Sequence, residues 1–225
     1  MASDLFAMGV EPLGAETAAV DATDPDFENV SAAETTLAAR VGAVLFRFRG
    51  WLPLLFLAVP LLAPGEASNS RWVIGGILIA AGELWRLAGV AVAGTTTRRR
   101  SRNVQKLVTH GVFGWSRNPL YNGNFLVWMG FVAISGVLWF LPAAALLFAA
   151  EYSLIVRYEE NVLEATFGRV YLDYKRCTPR WIPSKPDEPT TGGINWREAW
   201  RSEISTFLQY AVLIAAFLLK DVYNG

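Results

Sequence analysis

A single cysteine, Cys177, and a single histidine, His110, are all that 225 residues offer of the strongest metal ligands. No intrachain disulfide can form, and neither a multi-cysteine cluster nor a histidine-based zinc site can be assembled, so no metal is expected. Charge is sparse too: 18% of residues are charged and 53% hydrophobic, against about a quarter charged in ordinary soluble domains. Net charge is absent, since 20 Lys and Arg balance 20 Asp and Glu. Without a net field to gather phosphates, no nucleic-acid partner is expected. The first residues lack the cationic start, apolar stretch and small-residue cleavage site of a removable signal. They also lack any basic residue before Arg40, while Asp4, Glu11, Glu16, Asp21, Asp24, Asp26, Glu28 and Glu34 accumulate. Residues 1–40 are expected to be a disordered acidic tail.

What the chain does have is apolar runs. A helix needs roughly 20 mostly apolar residues to cross the hydrocarbon, with about 17 to 25 acceptable. Candidates are Val44 to Leu62, Trp72 to Val92, Leu120 to Ile134, Val137 to Val156 and Thr206 to Val222. The expected fold is all-α, an integral membrane bundle of about five transmembrane helices. Ser135-Gly136 makes a tight turn between the third and fourth runs, which then form an antiparallel hairpin with neighbouring far ends. Basic residues stay on the cytoplasmic side of short loops. With the N-terminus inside, seventeen of the twenty lie on that side, leaving Arg71 and Lys220 outside and Arg86 within a span. The loops 93–119 and 157–205 are therefore expected to be cytoplasmic, with TTTRRRSR at 95–102 resting on anionic headgroups. The chain divides into the tail at 1–40, a core at 41–205 and a terminal span at 206–225, with no evident internal repeat.

Three stretches at the expected cytoplasmic face carry polar chemistry. In GWSRNPLYNG, Asn118 is a strong N-cap type and Pro119 suits the first helical position, so the third span should begin there. A helix N-terminus offers unpaired amides, and Arg117 beside it adds a planar cation; together they make an anion seat, or else Arg117 simply snorkels to headgroups. In RYEENVLEATFG, Glu159 and Glu160 point about 100° apart on a helix, so only one can face a given pocket while the other meets solvent or a base such as Arg157. In FGRVYLDYKRCTPRWIP, Gly168 ends the helix, Tyr171 and Tyr174 share one face, and Pro179 to Pro183 is extended. That stretch either covers a pocket or lies on the membrane surface. Within the second span, Glu83 and Arg86 are spaced to pair, which lowers the insertion cost of about 2.5–3.5 kcal/mol per charge. Either the pair is structural, or Arg86 orients an acceptor.

The order LVTHGVFGWSRNPLYNG, helical hairpin, EENVLEATFGRVYLDYKRCTPRWIP resembles the isoprenylcysteine carboxyl methyltransferase and phospholipid methyltransferase superfamily of integral membrane enzymes over residues 105–183. The resemblance implies S-adenosylmethionine as cofactor, bound at the cytoplasmic-face helix ends, and a lipophilic or lipid-anchored acceptor entering from the bilayer. Carried over by position, Gln105, Lys106, Leu107, Val108, Phe113, Asn118, Pro119, Tyr121 and Glu159 would contact the cofactor. Arg117, Glu159 and Glu160 would serve catalysis; Arg157, Tyr171, Tyr174 and Arg180 join Arg86 as candidates for the acceptor. Asn118 stands where the family usually has histidine, so a basic role at that position is in doubt, because an amide takes no proton near neutral pH. Phe113 replaces a common tyrosine and keeps a stacking face.

The chemistry also fits without the family. A sulfonium, an adenine and an amino acid end call for carboxylate, aromatic surface and an anion seat, and an ionised carboxylate acceptor needs positioning more than proton removal. Carboxyl O-methylation of an isoprenylcysteine-like acceptor is the favoured expectation. Phospholipid N-methylation, a nicotinamide-dependent enzyme resembling sterol reductases, and a non-catalytic scaffold are the alternatives.

Overall fold

The computed structural model describes residues 37–48, 52–65, 68–94, 106–187 and 191–224. The tail before Leu37, the basic run at 95–102 and Gln105 lie outside the described residues. Among those described, the order is α1 (Leu37–Phe48), α2 (Leu52–Leu62), α3 (Asn69–Ala93), α4 (Val112–Trp115), α5 (Pro119–Ser135), a 3-10 turn (Leu138–Phe140), α6 (Leu141–Phe167), α7 (Arg169–Cys177) and α8 (Trp196–Asn224), with no strand.

Three helical stretches, corresponding to α3, to α6 with its preceding 3-10 turn, and to α8, are long and apolar enough to cross a bilayer. The expectation of five such spans is met only in part. The first run is divided between α1 and α2, of 12 and 11 residues. The third is α5, whose 17 residues reach only about 26 Å at 1.5 Å per residue, against a hydrocarbon thickness of about 30 Å. Its second half, Val127–Ser135, is wholly buried, so its apolar residues meet protein rather than lipid. Helical hydrogen bonding also outlasts hydropathy at two ends. α6 continues to Phe167 and α8 begins at Trp196, so the run Thr206 to Val222 is the interior of a longer helix, and the expected tail boundary at residue 40 falls inside α1.

In lipid, helices gain little from burying apolar surface on one another, and close backbone approach becomes the main source of packing energy. The α3–α5 seam is made for it. Gly75, Gly82 and Gly89 recur every seven residues on α3, as Gly123 and Gly130 do on α5. A Cβ on Gly82 would lie 2.6 Å from the Gly123 carbonyl oxygen, and one on Gly75 2.6 Å from that of Gly130. This period was not evident as a repeat because nothing but the glycines recurs.

The turn at Ser135-Gly136 joins α5 to α6 as expected: Gly136 adopts φ 75° and donates to the Ala133 carbonyl at 3.2 Å. Positive φ is what glycine supplies there. At this end of the bundle Arg71 donates to the Gly136 carbonyl at 3.2 Å, Trp72 to Asp221 at 2.9 Å, and Lys220 to the carbonyls of Pro60 and Ser135 at 2.6 and 3.2 Å. At the other end Asn195 donates to the Ala91 carbonyl at 2.7 Å and Gly89 faces Leu120. α3, α5, α6 and α8 thus alternate in direction. Arg117, Lys175 and Arg180 gather at the α5 N-terminal end, away from Arg71 and Lys220.

Candidate active site

The α5–α6 hairpin brings its two open ends together, and there the polar stretches converge. α5 begins at Pro119 with Asn118 as its N-cap residue, whose carbonyl accepts from the amides of Tyr121 and Asn122, both at 3.1 Å. The Asn118 side chain does not cap the helix. Its Nδ2 donates to the Arg180 carbonyl at 3.0 Å, across to the segment that follows α7.

That segment, Thr178 to Pro186, is a strap laid over the start of α5. Arg117 N donates to the Pro179 carbonyl at 2.9 Å, Asn122 Nδ2 to that of Trp181 at 2.8 Å, and Ser184 N to that of Trp115 at 2.9 Å. Ser116, fully buried, donates its hydroxyl to the carbonyls of Arg180 or Trp181 and accepts from Asn122 Nδ2 at 3.0 Å. The stretch is thus bonded to the start of α5 through four of its backbone carbonyls and amides.

Glu160 anchors the arrangement. Its Oε1 accepts from Arg117 Nε and Nη2 at 3.1 and 2.9 Å and from Arg180 Nε at 3.1 Å, while Oε2 accepts from Arg180 Nη2 at 2.5 Å. Arg117 Nη1 donates to the carbonyls of Lys175, at 3.0 Å, and Thr178. A guanidinium has five N–H donors in a fixed fork. All three of its nitrogens are engaged here by Glu160 and the end of α7. The anion seat expected of Arg117 and the amides beside it is occupied by the chain's own groups, with the Asn118 amide on Ser116 Oγ at 3.3 Å.

Glu159 faces a different neighbour, as the angular separation of adjacent helical residues requires. Its Oε1 accepts from the Tyr121 hydroxyl at 2.9 Å. The Tyr121 ring lies 4.7 Å from Tyr152, which stacks on Phe148 at 4.1 Å, and Trp128 meets both edge-on. A carboxylate therefore caps an aromatic column between α5 and α6.

Tyr171 and Tyr174 lie ring to ring at 5.9 Å, and the Tyr174 hydroxyl donates to the Phe113 carbonyl at 2.7 Å, fixing α4 to α7. Burial pushes both phenols up from the ordinary tyrosine pKa, with Glu160 adding to the rise and Arg117 opposing it. Leu107, Val108 and Phe113 are half-buried, while Lys106 and Arg157 are exposed.

Arg86 forms a second knot. Glu83 pairs with it at 3.1 Å as the spacing implied, but Glu203 of α8, fully buried, also pairs at 3.2 Å, Asn124 accepts from Nη1, and Tyr210 donates to Glu83 at 3.0 Å. Glu203 was invisible as a partner because it lies ahead of the apolar run of α8. Its signal was Tyr210, two turns on and on the same helical face.

A sequence model described as phospholipid methyltransferase matches residues 70–170. Protein-S-isoprenylcysteine O-methyltransferase B of Arabidopsis thaliana is 31% identical over 140 residues, covering 58% of this chain and 68% of that protein. The chain belongs to the isoprenylcysteine and phospholipid methyltransferase superfamily. The superfamily assignment makes it a methyltransferase, and its three long apolar helices suit a membrane protein. Protein-S-isoprenylcysteine O-methyltransferase A of the same plant is 33% identical over 140 residues, with the same shares covered. The nickel-cobalt-cadmium resistance protein NccN of Alcaligenes xylosoxydans xylosoxydans is 34% identical over 82 residues, 36% of this chain and 38% of that protein. No solved structure matches the chain significantly. The match to the phospholipid methyltransferase model spans α3 to the start of α7, so Tyr171, Tyr174, Arg180 and Glu203 lie beyond that match.

Proposed function

We propose that this methyltransferase uses S-adenosylmethionine to methylate a membrane-embedded lipophilic acceptor, with an isoprenylcysteine-like carboxylate as the favoured substrate. The observation that carries the reading is the division of labour between neighbouring acids. Glu160 is held by Arg117 and Arg180, whereas Glu159 accepts from the hydroxyl of Tyr121, whose ring lies against that of Tyr152. An acid beside aromatic faces is a receptor for an organic cation, since both attract positive charge in a partly desolvated site. The donor set therefore fits a sulfonium cofactor, which when bound supplies a methyl group already attached to its leaving group.

The chain's residues would then bind, orient and exclude water. Glu159, oriented by Tyr121, faces the cation; Phe113, Leu107 and Val108 supply apolar surface for a planar base. Arg117, Glu160 and Arg180 act as positioning residues that hold the strap over the mouth and keep α5 and α6 in register. Excluding water strengthens each electrostatic contact inside and suppresses hydrolysis. No side-chain nucleophile is required, because proximity and in-line alignment supply the main acceleration. With the basic loops inside, the site faces the cytoplasm.

Purified protein incubated with methyl-labelled S-adenosylmethionine and membrane extract should place label in a base-labile ester. Label in a base-stable N-methyl amine would overturn the carboxyl preference and favour the phospholipid alternative; no transfer and no saturable cofactor binding would overturn the enzyme reading.

A further inference from the structure

α8 is longer than a membrane is thick. Its 29 residues extend about 43 Å, against about 30 Å of hydrocarbon, so part of it must stand in the headgroup layer. Its buried face is set along most of its length: Ala199 packs near Leu87, Val90 and Ala91, Glu203 pairs with Arg86, and Phe217 reaches the main core. At about 100° per residue the opposite face is set as well. Leu208, Val212 and Leu219 lie on it, all exposed, and form the lipid-facing stripe. Arg197 and Arg201 fall on that same stripe within about 40° of Leu208. Both are exposed, and neither guanidinium has an ion pair or hydrogen bond among the described residues. Trp196 and Trp200, about half exposed, flank them on one side.

We propose that the first turns of α8, Trp196–Ser205, are a binding surface for anionic phospholipid. A lipid-facing stripe that changes from Leu208 to Arg201 within two turns marks the hydrocarbon boundary. Two arginines about 6 Å apart along the axis, aimed outward at that boundary, meet lipid phosphate rather than bulk water. Guanidinium forks suit phosphate oxygens, and indole rings suit the glycerol and carbonyl level. No acid interrupts the stripe: Glu203 is buried on Arg86, and the Glu198 carboxylate accepts from Asn195 Nδ2 at 3.2 Å. The surface lies outside the match to the phospholipid methyltransferase model and is independent of the cofactor reading.

The test is native mass spectrometry of the full chain in detergent, titrated with phosphatidylglycerol and, separately, phosphatidylcholine. Wild type should bind phosphatidylglycerol more tightly. Arg197→Gln/Arg201→Gln should weaken that binding about 25-fold, roughly five-fold per arginine, and leave phosphatidylcholine binding unchanged. Arg176→Gln, at a cation already paired with Asp173, should change neither. Arg197→Lys/Arg201→Lys keeps the charge and should retain most of the preference, which separates lost charge from lost folding. Equal binding of the two lipids by wild type, an unaltered preference in the Gln variant, or displacement of the lipid by millimolar inorganic phosphate would each overturn the proposal.

Discussion

Arg117 and Glu160 meet across the mouth of the hairpin, Nη2 to Oε1 at 2.9 Å, with both side chains more than nine-tenths buried. Removing Arg117 leaves the buried Glu160 with Arg180 as its remaining guanidinium and strips the Lys175 and Thr178 carbonyls of their donor, at up to about 3–5 kcal/mol. Arg117→Ala should therefore lower the thermal unfolding midpoint strongly in detergent. The loss in Arg117→Ala/Glu160→Gln should be smaller than the sum of the losses in the two single variants, because each single change already breaks the shared contact. Fully additive losses would show that the two residues do not act as a pair.

Glu159 and Tyr121 answer to a different assay. Glu159→Gln keeps the shape and removes the charge, and Tyr121→Phe keeps the ring and removes the donor. On the proposed reading, calorimetry should show S-adenosylmethionine affinity falling at least about tenfold in Glu159→Gln, equivalent to about 1.4 kcal/mol, and less in Tyr121→Phe. Unfolding midpoints should move little in either.

The glycine seam predicts an asymmetry between neighbouring positions. Gly82→Ala drives a methyl onto the Gly123 backbone, which no rotamer relieves, whereas a Cβ at Gly76 meets nothing within 4 Å. The first should cost about 1–3 kcal/mol by overpacking. Gly76→Ala should be neutral or stabilising by up to about 1 kcal/mol through helix propensity. Thermal unfolding of both variants side by side checks the contrast.

Alkali should destabilise the fold through α7. The phenols of Tyr171 and Tyr174 hold their protons to higher pH in the folded chain than in the unfolded one. Above about pH 10, the ordinary tyrosine value, the unfolded state releases protons that the folded state retains. The stability these protonated phenols provide is complete below that pH and declines above it. Tyr171→Phe/Tyr174→Phe should flatten the decline in a pH series of unfolding midpoints, although loss of the Tyr174 bond to Phe113 lowers the plateau.

Local signals in the sequence were sound where they rest on one residue's covalent geometry. Pro119 begins α5, Gly136 turns the hairpin and Gly168 closes α6, because fixed φ or positive φ admits few alternatives. Hydropathy was a poorer guide to ends. It located α3 well, but stopped α6 at Val156 and delayed α8 to Thr206, since a helix persists wherever its backbone bonds persist. It did not show that the apolar residues in the second half of α5 pack inside the bundle.

The amino-acid sequence alone determined the helical class, the superfamily, the hairpin and the gathering of Arg117, Tyr121, Glu159 and Glu160 at one end, because each follows from spacing along a single chain segment. Only the tertiary structure decided which acid takes which partner. Whether Arg117 is a free anion seat or the counter-ion of Glu160, and whether Arg86 belongs to Glu83 alone or also to Glu203 more than a hundred residues on, depends on which helix faces which. A buried charge accepts the partner that packing delivers within about 3 Å, and no local periodicity encodes that distance.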